Sequence, residues 1–173
     1  MALSKADVNN INVTAAASKA IKWNSAADGF ETGDLSGNTV LLSTATASSS
    51  ATLDFTSGID STYKEYVFKF INIHPATDRA FLQFQVDTGT NTNYNQAITS
   101  TYFHFYHDEA DTATGLAYVA SKDLAQGTGF QTISYNTSND NDACSVGTLH
   151  LYDPSNTTFV KHFIAEFSSH DDG

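Results

Sequence analysis

The chain has one cysteine, Cys144, in 173 residues, so it can form neither an intramolecular disulfide nor a Cys-x-x-Cys metal or redox pair. Cys144 follows an acidic loop with no basic cluster or helix start beside it to favour the thiolate, and it reads as a core or incidental residue. Positive charge is equally scarce. Eight Lys and Arg against nineteen Asp and Glu leave a net charge of −11. A phosphate backbone is repelled by such a surface, which argues against nucleic acid as the main partner. No run approaches the ~18 apolar residues that cross a bilayer, and "MALSKADVNNINV" lacks the apolar stretch of a secretory leader. The expectation is synthesis in the cytoplasm without membrane insertion. Catalytic signatures are missing as well: no GxSxG, HExxH, P-loop or GxGxxG occurs. No catalytic residue, cofactor or metal ligand set is expected, and the chain reads as a non-enzyme.

Charged residues make up only 16% of the chain, and their place is taken by Ser, Thr, Asn, Asp and Gly, which favour turns and strand faces over helix. Phe and Tyr supply most of the 12% aromatic content, enough for a large core. From Tyr63 onward the apolar residues alternate. Tyr66, Phe68 and Phe70 share one side of "YKEYVFKFINI"; Leu82, Phe84 and Val86 share one side of "AFLQFQVD". In "TYFHFYHDE", Phe103 and Phe105 oppose Tyr102, His104 and Tyr106. Leu149 and Leu151 oppose Thr148, His150 and Tyr152, and Phe159, Phe163, Ala165 and Phe167 recur in "TFVKHFIAEF". Side chains on a strand alternate between faces, so these segments predict strands with Phe68, Phe70, Leu82, Phe84, Phe103, Phe105, Leu149 and Leu151 inward. Earlier in the chain, short strands are expected at 39–43 and 51–55, joined by a small polar linker. The fold expected is all-β: an antiparallel β-sandwich or jelly-roll-like domain over 51–173, preceded by an extended N-terminal attachment and oligomerisation segment over 1–50.

Three connectors, 87–95, 108–115 and 136–143, are polar and rich in Asn, Asp, Thr and Gly. Two of them carry oxygen ligands at alternate positions that would suit calcium: Asn136, Ser138, Asp140 and Asp142, or Asp87, Asn91 and Asn93. Both lack the glycine and closing Glu of an EF-hand loop, and ordinary Asx-rich turns account for them. His104 and His107 are three apart, which places them on opposite faces of a strand. His150 and His162 lie on separate strands, and their approach cannot be read from sequence. Tyr, Asn, Asp and His around the loops also suit stacking on sugar rings, the chemistry of a host-surface glycan site.

One stretch resists this scheme. "KAIKWNSAADGFETGDL" at 19–35 holds the only tryptophan and little periodicity. "AIKW" suits a short strand with Ile21 and Trp23 on one face, and "NSAADGF" is turn chemistry. So few apolar residues cannot offset the ordering entropy of the segment, and a solvated tail has no need of Ile11, Val13, Ile21, Trp23 and Phe30. Residues 1–18 fit a disordered tail and a docking arm alike. The indole needs apolar surface from the main domain or from another chain.

The run "NINVTAAASKAIKWNSAADGFETGDL", with "TATASSSATLDFTSGIDSTYKEYVFKFINIHPATD", "LQFQVDTGT" and "FVKHFIAEFSS", resembles virion proteins of tailed bacteriophages, especially tail-fibre-type proteins of marine and cyanobacterial phages. The resemblance spans nearly the whole chain and rests on a recurring pattern, not on a catalytic signature. It implies a virion structural protein of a tail fibre or host-adhesion device. A head decoration or cement protein is the alternative, and a carbohydrate-binding module a weaker one. It also implies a homotrimer with Ile21, Trp23 and Phe30 at the assembly interface around a threefold axis, with other tail or capsid proteins as neighbours. Chains of this kind run on past the equivalent of "HDDG" to a Gly-rich "LYGI"-like end, so further strands are expected beyond Gly173.

Overall fold

A computed structural model of the chain describes residues 19–34 and 39–171. The chain divides into two units, Met1–Thr44 and Ala45–Gly173. Ile11 and Val13 lie outside the described residues.

Within the first unit, β1 (Lys19–Trp23) and β2 (Phe30–Asp34) form an antiparallel hairpin with Lys19 opposite Asp34 and Trp23 opposite Phe30. The turn chemistry expected of "NSAADG" closes it. Asn24 donates its backbone N–H to the Gly29 carbonyl at 3.0 Å, and its side-chain amide bonds the Asp28 carboxylate at 2.9 Å. Ala27 takes a left-handed φ of 56° to complete the bend. Lys22 and Glu31, directly opposite across the ladder, approach to 3.3 Å.

Apart from one 3-10 turn, the regular secondary structure of the second unit is antiparallel strand. β3 (Glu65–Ile73), β8 (Ser145–Tyr152) and β9 (His162–Ser169) form a three-stranded sheet in the order β3-β8-β9. β4 (Ala80–Phe84) pairs with β7 (Gln131–Thr137), and β5 (Phe103–His107) with β6 (Thr114–Tyr118). A short 3-10 turn at Ala120–Lys122 leads from β6 towards β7. Residues 39–64 contain no strand, which corrects the strands expected at 39–43 and 51–55. Val40, Leu41 and Leu42 are exposed and gain no ladder partner, and an apolar run alone does not make a strand.

Register organises the core. The inward face of the three-stranded sheet is three cross-strand rows: Tyr66–Leu151–Phe163, Phe68–Leu149–Ala165 and Phe70–Gly147–Phe167. Leu82 and Phe84 from β4 and Ile133 from β7 join the same apolar cluster, with Phe84 edge-on to Phe163 at 4.8 Å between ring centroids. Gly147 is dictated by its row. A Cβ there would lie 2.4 Å from the Glu166 carbonyl oxygen and 2.5 Å from the Phe167 ring, so only glycine lets Phe70 and Phe167 meet, at 5.1 Å, across the central strand. Asn72, with φ of 52°, sits where the β3–β8 register shifts between Phe70 and Ile73, as at a β-bulge. The buried Tyr66 hydroxyl receives the Asp60 amide and bonds the Asp60 carbonyl, both at 2.9 Å, tying the 59–62 turn to the core.

Candidate assembly surfaces

The β5–β6 hairpin reverses the polarity that its alternation suggests. Phe103 and Phe105 are exposed, and not inward as expected; their cross-strand partners Tyr118 and Leu116 are exposed with them. The four side chains make one outward face, with the Phe103 and Tyr118 rings 5.3 Å apart. The physical reason lies on the other face. Half-buried His104 sets its ring edge-on to Tyr135 of β7 at 5.3 Å, and Tyr135 also packs with Phe81 and Tyr102. Lys122 completes this cluster with its ammonium 3.6 Å from the Phe81 ring centroid. Tyr106 crosses over Gly115, where any Cβ would fall within 3 Å of its ring. The mixed aromatic and polar face is thus matched to the aromatics of β4 and β7, and the two phenylalanines are left outside.

The base of this hairpin is held by a set of polar contacts around buried Gln131. Gln131 accepts the Ser100 hydroxyl at 2.5 Å and donates to the carbonyls of Lys122 at 3.1 Å and Thr132 at 2.8 Å. Ser100 in turn receives the Leu124 amide at 2.9 Å. The Asp123 carboxylate accepts the Tyr102 amide at 2.6 Å and the Tyr118 hydroxyl. That last bond pushes the Tyr118 hydroxyl above its ordinary pKa. A face anchored this way is presented on a fixed frame.

In the first unit, Trp23 stacks on Phe30 with centroids 4.5 Å apart and planes 26° apart, and Ile21 lies on the same side of the hairpin. The three are 62%, 44% and 45% exposed. An isolated two-stranded hairpin is marginally stable in water, and a stacked ring pair adds only about 0.5–1.5 kcal/mol. Sequence placed Ile21 and Trp23 on a short strand and Phe30 in the turn that follows it, whereas Phe30 opens the partner strand β2.

The polar connectors are closed by their own carboxylates. Asp87 accepts the amides of Thr88 at 2.8 Å and Tyr94 at 2.9 Å, and the Gln96 side chain at 3.2 Å. The Tyr94 amide foremost holds its carboxyl below the usual range. Asp108 closes the β5–β6 turn on the amides of Thr112 and Ala113 at 2.8 and 2.9 Å and on the Thr112 hydroxyl, the largest cause of its lowered pKa. Asp153 is held low by the Asn156 side-chain amide and by Lys64, and Asp60 by Thr62. N–H donors pointing at Asp87 have the wrong polarity for a cation site. In the other calcium candidate, Ser138 is buried and receives the Asp140 amide at 3.2 Å, while Asn136 bonds Asp171 at 3.2 Å. Among the described residues, no group of three or more His, Cys, Asp or Glu is placed to hold a metal. His107 bonds Asp111 in its own turn, and His150 bonds Glu65 of β3 at 2.6 Å, turned towards β3 rather than β9, where His162 lies.

Sequence reasoning missed β6 and β7. Buried Gln131, Thr132, Ser134 and Thr137 give β7 a polar reading, and Ile133 alone marks its core side. No protein-family model, curated protein or solved structure matches the chain.

Proposed function

We propose that the chain is a non-enzymatic structural protein of a tailed-bacteriophage virion, part of a tail fibre or host-adhesion device. In this reading it is made in the host cytoplasm and ends in the particle. The hairpin around Trp23 and Phe30 is the assembly element, and three copies meet there through Ile21, Trp23 and Phe30. The strands of the second unit form a sandwich of jelly-roll type, whose partners are neighbouring virion proteins and a glycan on the host surface.

The observation that carries this reading is the exposed, stacked Trp23–Phe30 pair on a hairpin of five-residue strands. Aromatic anchors dominate interface energetics when they are desolvated by a partner. The resemblance of the 10–35 run to phage fibre modules supports the threefold arrangement and the setting. The apolar faces left exposed on both hairpins support association over a free monomeric life.

The experiment is incorporation into particles. A Trp23→Ala chain, expressed in place of the parent during infection, is expected to fold and to be missing from purified particles. Normal incorporation at the parent's copy number refutes the assembly role of Trp23. Copy number also separates fibre from head decoration: a low number per particle fits the tail device, and a high one a capsid surface.

A further inference from the structure

The outward face of β5–β6 is an apolar patch on an acidic protein. Phe103, Phe105, Leu116 and Tyr118 are 61%, 84%, 75% and 55% exposed, adjacent in two cross-strand pairs, and none is charged. Taking about 200 Å² for each large side chain, the exposed part sums to roughly 500 Å². Stable contacts between copies of one chain cover about 800 Å² per partner, about 65% of it apolar. The face supplies about the apolar share that one such contact needs.

We propose that this face is a self-association surface, meeting the same face of a second copy across a twofold axis. Three observations favour a second copy over an unrelated partner. First, each copy carries a charge of −11, so copies approach most readily where charge is sparse, and none of these four side chains is charged; Asp123 reaches the face only at the Tyr118 hydroxyl, at its edge. Second, its row order, Phe103–Tyr118 beside Phe105–Leu116, is self-complementary under a twofold rotation, as an isologous contact requires. Third, the acidic turn at Asp108, Glu109 and Asp111 caps one end of the hairpin, so an antiparallel arrangement sends the two turns to opposite ends. The part-buried bonds of Gln131 and Asp123 fix the frame, so association orders little that is not already ordered. The surface belongs to the second unit, whereas Trp23 and Phe30 belong to the first, and the inference does not rest on the threefold reading.

Sedimentation of the full chain over a range of concentrations tests it, with four proteins side by side: parent, Trp23→Ala, Phe105→Ser/Leu116→Ser and Phe105→Leu. The parent is expected to exceed the mass of the Phe105→Ser/Leu116→Ser chain at least twofold at high concentration, and raising the salt should shift it further towards the larger species by screening the acidic repulsion. Phe105→Leu, still apolar, should keep the parent's mass. Trp23→Ala should retain a dimer, which distinguishes this contact from the threefold one. Circular dichroism checks the fold of each chain; the three substituted side chains, Trp23, Phe105 and Leu116, are exposed, so an unchanged β spectrum is expected. A Phe105→Ser/Leu116→Ser chain with the parent's mass at every concentration overturns the proposal. So does a monomeric parent, including one that binds lipid vesicles or another virion protein through this face.

Discussion

Leu149 and Phe105 occupy equivalent places in the alternation of their segments, and the structure separates them sharply. Leu149 is buried at the centre of the middle strand, flanked by Phe68 on β3 and Ala165 on β9, with Ile133 in the same cluster. Its neighbours belong to hydrogen-bonded ladders on both sides and cannot close over a missing isobutyl group. Truncation to alanine therefore carries the transfer loss plus most of the cavity term, about 3–4 kcal/mol within the 2–5 kcal/mol usual for such changes. Domains of this kind are stable by only about 5–15 kcal/mol, so the loss is a large fraction. Phe105 is mostly in water, and Phe105→Ala should move stability by less than about 0.5 kcal/mol. Urea unfolding followed by circular dichroism, at concentrations low enough to keep each chain dissociated, reads both. The midpoint should fall steeply for Leu149→Ala at an unchanged slope, and barely at all for Phe105→Ala. Equal losses, or a larger one for Phe105→Ala, would refute the inverted hairpin and return Phe105 to the core.

Gly147→Ala should cost about 1–3 kcal/mol or more by overpacking, because its methyl meets the Glu166 carbonyl and the Phe167 ring; a thermal scan unchanged from the parent would contradict the row geometry. Tyr66→Phe removes the hydroxyl that serves the Asp60 amide and carbonyl, and a loss of about 1–3 kcal/mol in urea is expected. Asp60, Asp87, Asp108 and Asp153 have folded pKa values below the ordinary ~3.9. The unfolded chain therefore binds protons first, and the stability these carboxylates contribute is present above about pH 4 and lost as pH falls through the lower folded values. Denaturant midpoints that stay level from pH 5 to pH 2 would count against the clamped connectors.

Much of the fold was legible because one rule decides it. In β3, β4, β8 and β9 the apolar residues fall at every second position and the core accepts them, so Tyr66, Phe68, Phe70, Leu82, Phe84, Leu149 and Leu151 were assigned to the side they occupy. The same rule failed at β5, because alternation states which residues share a face and not which face is inward. There, His104 found an aromatic partner in Tyr135, and the phenylalanines were left in water. β7 was invisible for the opposite reason: its buried residues are mostly Gln, Ser and Thr, and two of them, Gln131 and Thr132, are bonded by Ser100 and Gln83 from distant segments. The turn between Trp23 and Phe30 was readable from its residues, since Asn24, Asp28 and Gly29 act through local bonds, while the strand it leads into was not. The outward face of β5–β6 depends on long-range packing, and no local pattern announces it.

The central claim is that this chain works as an assembly and not alone, and the mass of the intact protein in solution tests it most directly. Sedimentation equilibrium of the parent should give a mass that is a multiple of three copies of the 18.6 kDa chain, reduced below three copies by Trp23→Ala. A parent that remains at 18.6 kDa across all concentrations and salt conditions would contradict the account.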